Sequence, residues 1–212
     1  MRVTREQAVR TRERILDAAA QLFRERGFDG IGVADLMKAA GLTHGGFYGH
    51  FESKEDLMAQ ACEHASARSE TLFGKLAERA PDDALGEIAR AYLSPRHRDD
   101  PGAGCLMAAL ASEASRQGAP VRKAITESLR STFEFLTDLI PGRSKHAKRE
   151  KAIATYASLV GGMILARPPH GIRVLNRLFD ATPLELVTAV ITETSGAPSR
   201  GAVRPSGRRT RR

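Results

Sequence analysis

The amino-acid sequence predicts an all-α chain, a three-helix N-terminal unit joined to a larger helical bundle, and three observations carry that expectation. Apolar residues recur at helical spacing almost throughout, no run alternates apolar and polar residues over a useful length, and glycines or prolines stand where the apolar stripes stop. At 212 residues the chain is long enough for one large domain, or for a small domain fused to a larger one.

After a basic arm over 1–11, with Arg2, Arg5 and Arg10, the residues Ile15, Leu16, Ala19, Leu22 and Phe23 line one face of a first helix. Gly27 in ERGF stops it. Val33, Leu36, Met37 and Ala40 form a second, short helix that stops at Gly41. A third helix is predicted over THGGFYGHF, with Thr43 as N-cap and Phe47, Tyr48 and Phe51 at helical spacing. Gly45, Gly46 and Gly49 are out of place there, since each costs a helix about 1 kcal/mol relative to alanine. Ser53 followed by Asp56 reads as a capping box opening a long fourth helix through EDLMAQACEHASARSETLFGKL.

The second region begins with a helix over PDDALGEIARAYL, where Pro81 and two acids suit the first turn. PRHRDDPGAG is predicted to be a break, and GCLMAALASEASRQ a helix. Beyond Gly118 and Pro120, the residues Val121, Ile125, Leu129, Phe133, Leu136 and Ile140 form a stripe on a further helix that ends at PGRS. KREKAIATYASLVGGMILA follows, and one or two more helices are expected over 172–194. From Ser195 onward the composition is that of a disordered basic tail.

The net charge of +8 invites a nucleic-acid reading, but six arginines and no acids lie within 196–212, which leaves +2 for everything before them. Residues 1–60 carry nine Lys/Arg and nine Asp/Glu. The high isoelectric point is therefore a property of the tail. Cys62 and Cys105 lack CxxC spacing, which suggests neither a disulfide framework nor a cysteine zinc site. No apolar run is long enough to span a bilayer and no secretion signal opens the chain, so a cytoplasmic protein without a membrane partner is expected. Walker, HExxH, GxSxG and Rossmann patterns are absent, and Glu113 and His97 form no recognisable catalytic constellation. No enzyme, cofactor or metal is expected.

Three short helices with a tight glycine-containing turn between the second and third match helix-turn-helix geometry over about 32–51. A recognition helix lies against the major groove, so glycines on its outward face trade stability for close approach, while Phe47 and Phe51 hold its inward face. On RERILDAAAQLFRERGFDG, VADLMKAAGLT and FYGHFESKEDL, residues 12–65 closely resemble the N-terminal domain of the tetracycline-repressor (TetR) family of bacterial transcriptional regulators. That resemblance implies a DNA-binding domain over 12–65 and a ligand-binding and dimerisation domain over 66–195. It also implies a homodimer on double-stranded operator DNA, released by a small effector.

Carried over by position, Thr43, His44, Gly45, Gly46, Tyr48 and His50 are the recognition residues and Lys54 a phosphate contact. A tyrosine hydroxyl, a helix N-terminus and a lysine are good phosphate partners. Ile31 and Gly32 depart from the family pattern, which often places Thr or Ser there as cap and phosphate contact; the backbone N–H of Val33 remains. The small residues Ala154, Ala157, Ser158, Gly161 and Gly162 would permit close helix approach at a dimer interface.

Met107, Leu110, Leu129, Phe133 and Leu136 are the expected lining of an apolar effector pocket. Cys105 opens a helix after a glycine-rich loop, a placement that favours a reactive thiolate, so an electrophile or redox sensor is the alternative to a reversible ligand. The rival of a different class is a helical interaction module without DNA binding.

Overall fold

The computed structural model describes residues 4–167, and every regular element among them is helical. The helices are α1 (Arg5–Arg26), α2 (Val33–Ala39), α3 (Lys54–Arg79), α4 (Ala84–Tyr92), α5 (Pro95–Asp99), α6 (Leu106–Ala114), α7 (Ala119–Leu139) and α8 (Lys145–Ala166). The helices expected over 172–194, the tail over 196–212 and Arg2 lie outside the described residues.

Helix α1 begins earlier than its apolar stripe implied, so Arg5 and Arg10 are helical rather than part of an arm. The cause is local: Thr4 Oγ1 accepts from the N–H of Gln7 at 3.2 Å, and Gln7 Oε1 accepts from the N–H of Thr4 at 2.9 Å. Arg10 and Glu6 add a pair one turn apart at 2.5 Å. Gly27 ends the helix with φ +78°, and its N–H reaches the Phe23 carbonyl at 2.8 Å. Gly41, at φ +69°, closes α2 in a Schellman arrangement: Leu42 N–H bonds to Met37 O and Gly41 N–H to Lys38 O.

The third predicted helix is a 3₁₀ segment, His44–Gly49, and not an α-helix. Three glycines in six residues remove the propensity an α-helix needs, and the tighter turn suffices to seat Phe47. The long helix predicted fourth is α3. Ser53 caps it, accepting from the N–H of Asp56 at 3.0 Å, but the Asp56 carboxylate turns back to the N–H of Glu52 rather than to that of Ser53.

In the second region Pro81–Asp83 forms a 3₁₀ turn before α4, and the predicted break holds α5 and a second 3₁₀ turn, Pro101–Ala103. Ser94 caps α5, and Asp100 caps the turn. These local polar bonds order a stretch that has no apolar stripe.

One core runs through both regions. Ile15, Ala19, Phe23, Phe28, Leu36, Met37, Phe47, Phe51 and Leu57 are buried together at the N-terminal end. Helix α3 continues without a break past residues 65 and 66, where the two domains were expected to part, and packs along α1 at one end and α7 further on. Helix α8 packs on α7 and α6. One continuous helix thus leads from the His44–Gly49 segment into the bundle.

Candidate nucleic-acid interface and cavity

Phe47 and Phe51 stack with ring centroids 5.8 Å apart, both buried, and the 3₁₀ segment packs on α2. The Arg12 guanidinium covers the Phe51 ring at 5.1 Å. On the outer side Tyr48 is 71% exposed, edge-on to Phe47 and to His44. Thr43, His44, Gly45 and Gly46 are exposed beside it; His50 is half-buried against Phe51, and Lys54 is half-buried in the first turn of α3. Thr43 occupies the cap position without a capping side-chain bond.

None of the three glycines has positive φ, and among the described residues a Cβ at Gly45 or Gly49 would meet no atom within 4 Å. Neither backbone conformation nor internal packing therefore requires glycine there. The outer face of the segment is a shallow surface with one aromatic standing on it.

The second centre is a cavity of about 80 Å³ between α3, α4, α6, α7 and α8. Cys105 and Met107 line it, as expected. Leu110, Leu129, Phe133 and Leu136 do not: Leu110 and Leu136 are core residues, and α7 turns Ser128 and Thr132 to the cavity in place of Leu129 and Phe133. The α7 stripe is used up in holding the bundle, and Phe133 packs edge-on to Tyr156 at 5.9 Å.

Cys105 is the N-cap of α6, nearly buried, with Sγ 3.3 Å from the Tyr156 hydroxyl. Its N–H donates to His97 Nε2 at 2.8 Å, while His97 Nδ1 lies 2.6 Å from the Tyr92 carbonyl. A carbonyl only accepts, so the proton of this imidazole sits on Nδ1 and the ring is neutral. Burial pushes its pKa down, in agreement. The same burial pushes the Tyr92 and Tyr156 phenols up, so both are protonated. Among the described residues the buried Tyr92 hydroxyl has no partner at hydrogen-bond geometry, and Cys105 is the polar group that acts on it. Cys62, deep in the core, has its thiol pushed up to about 12 by burial, as suits a packing residue.

Residues 15–61 match the family model described as bacterial regulatory proteins, tetR family. The chain is 26% identical over 199 residues to the transcriptional repressor NemR of Escherichia coli, covering 89% of this chain and 96% of that one. It is 34% identical over 87 residues to the regulator AcrR of Shigella flexneri, a match that spans 40% of AcrR. The chain belongs to the TetR family. It is a DNA-binding transcriptional regulator and not an enzyme. Its fold agrees with the crystal structure of E. coli NemR in its reduced form, at TM-score 0.67, 23% identity and coverage of 88% and 96%. It also agrees with SCO4454 from Streptomyces coelicolor, at TM-score 0.71, 20% identity and coverage of 89% and 97%.

Within this TetR-family fold, two polar ties join the end of α1 to the cavity wall. Arg24 donates through Nε, at 2.8 Å, and Nη2 to the carbonyl of Gly102, three residues before Cys105. Glu113 of α6 accepts from the N–H of Phe28 at 2.9 Å. A Cβ at Gly104 would lie 2.7 Å from the His97 ring, so the turn carrying Gly102 sits directly on the cavity. Sequence reasoning missed His97, Tyr92, Tyr156, Arg24 and Glu113 as parts of one arrangement; they come from five helices, and no spacing connects them.

Helix α8 leaves Ile153, Ala157, Ile164 and Leu165 exposed, with Ala154, Ser158 and Gly161 half-buried along the same side. Gly162 of the expected set turns inward, where a Cβ would stand 3.6 Å from Leu93 Cδ2.

Proposed function

We propose that the chain is a cytoplasmic homodimeric repressor whose 12–65 region reads operator DNA through His44–Gly49. Residues 66–195 pair two copies and sense an effector. The observation that carries the DNA reading is the outer face of the recognition segment. Gly45 and Gly49 stand where the protein itself needs no glycine, beside an exposed Tyr48 fixed by a buried Phe47. Such a face admits a groove wall closely and offers a hydroxyl to a phosphate. Thr43, His44, Gly46 and His50 complete the surface, and Lys54 supplies a cation to the backbone.

Pairing through the exposed α8 face, with Ile153, Ala157 and Ile164 at its centre, supports placing two such segments one helical turn of DNA apart, about 34 Å. The test is binding of the full chain to DNA flanking its own gene, at fixed salt, for wild type and Tyr48→Ala. Loss of about tenfold or more in the variant, with an unchanged melting temperature, is expected; equal affinity, or no binding by wild type, would return the chain to an interaction module.

For release, the cavity favours modification of Cys105 over a bulky reversible ligand. Ordinary ligand sites measure roughly 300–1,000 Å³, and 80 Å³ holds little more than a few waters. An adduct on Sγ has no room beside Tyr156 and must displace the α6 N-terminus and the turn before it. That turn is held by Arg24 of α1, so the strain reaches the DNA-binding region. The relative NemR has been crystallised in a form designated reduced, which supports a thiol-linked reading. Treatment with a thiol-reactive electrophile should lower operator affinity in wild type and leave Cys105→Ser unchanged; if both are unaffected, a reversible effector that opens the cavity is the mechanism.

A further inference from the structure

A second, larger space lies back to back with the Cys105 cavity. A groove of about 810 Å³ runs between α1, α3 and the Pro101–Ala103 turn, sharing Ser69, Leu72 and Gly104 with the cavity wall. Its volume is that of an ordinary ligand site. One face of α1 supplies Arg14, Asp17, Gln21 and Arg24 at spacings of three and four, and α3 supplies Arg68.

The charges in this groove are unevenly matched. Arg24 is half-buried, and among the described residues its guanidinium bonds only the Gly102 carbonyl, through two of its five N–H donors. Among the described residues it has no ion pair, and neither has Arg14, whose Nη2 donates to the Ala40 carbonyl. Arg68 pairs with Asp17 at 2.5 Å, but Asp17 is shared with His64 at 2.8 Å. Of the other carboxylates here, Asp100 is engaged by the Ala103 N–H at 3.1 Å, and Glu25, beside Gly102, by the Gln21 amide at 2.8 Å. Burial, and after it the neighbouring charge of Arg68, push the Arg24 pKa down, and Asp100 offsets them only in part.

Charges removed from water are ordinarily paired. A carbonyl oxygen offers a partial charge only, and the three free donors of Arg24 form a planar fork suited to two oxygens of one anion. We propose that this groove binds a small carboxylate or phosphate anion, held by Arg24 with Arg68 and Arg14 beside it. The anion would touch α1 of the DNA-binding region, α3 and the turn that leads to Cys105. It would therefore fasten the two regions together at a place separate from the Cys105 thiol.

The test is thermal unfolding of the full chain in sodium phosphate and in sodium succinate, each against sodium chloride at equal ionic strength. A saturable rise of about 3 °C is expected at about tenfold excess over Kd. Phosphate gives it if the natural ligand is a phosphate ester, succinate if it is a carboxylic acid. Arg24→Gln should abolish the rise and Arg68→Gln should reduce it. Arg68 is 69% exposed, so its replacement leaves folding intact even if Arg24→Gln does not fold. No rise beyond chloride with either anion, or an equal rise in wild type and Arg68→Gln, overturns the proposal.

Discussion

Replacing Glu113 tests the joint between the two regions. Its carboxylate accepts from the N–H of Phe28 at 2.9 Å, in the turn that Gly27 makes with φ +78°. A hydrogen bond to a charged acceptor contributes about 1.5–3 kcal/mol, and partial exposure of Glu113 puts this one at the lower end. Glu113→Ala leaves the Phe28 N–H without its acceptor, because the alanine side chain ends short of it. The expected loss is about 1.5 kcal/mol, or a fall of about 3–6 °C in Tm for a chain of this size. Glu113→Gln keeps a carbonyl acceptor in place and should cost about half as much. Because the bond spans α6 and the end of α1, the alanine variant should also bind operator DNA normally yet respond less to modification of Cys105. Thermal melts at neutral pH decide the first point and DNA titrations of thiol-treated protein the second. A Glu113→Ala melting temperature within about 1 °C of wild type, or a glutamine variant as unstable as the alanine one, refutes the reasoning.

Gly45→Ala should leave Tm equal or slightly higher, since its Cβ meets no protein atom, while operator affinity falls about tenfold; a variant that binds as wild type separates the glycine from DNA approach. His97 carries a pH dependence: burial holds its folded pKa below the ordinary 6.5. The unfolded chain therefore binds the extra proton first. Its contribution to stability is full above pH 6.5 and is lost as pH falls through the folded value. His97→Gln should flatten that part of the Tm-against-pH curve, and an unchanged slope would remove His97 as its source. Ile164→Asp places a charge on the exposed α8 face and should shift the sedimentation of the protein from dimer to monomer; a variant still dimeric moves the interface elsewhere.

Much of the N-terminal end was legible because its signals are local. Gly27 and Gly41 stop helices where only glycine takes a positive φ, and Ser53 caps α3 within one turn. Phe47 and Phe51, four residues apart, share the buried face that spacing predicts. The start of α1 was misplaced because the apolar stripe begins at Ile15, whereas the Thr4–Gln7 capping box starts the helix with polar atoms alone. The type of the third helix was misread because helical spacing over two turns does not separate α from 3₁₀.

The sequence by itself determined the all-helical class and the family, since helical periodicity and the motifs within residues 12–65 are local signals. Only the tertiary structure decided what surrounds Cys105 and which face of α7 meets it. It alone set Arg24 against the turn that leads there. Those neighbours stand 78 residues apart for Arg24 and Gly102, 51 for Cys105 and Tyr156, and 85 for Phe28 and Glu113. Polar contacts at such separations follow from how amphipathic helices stack, and every helix stripe that packs the core leaves several ways to turn its polar flank.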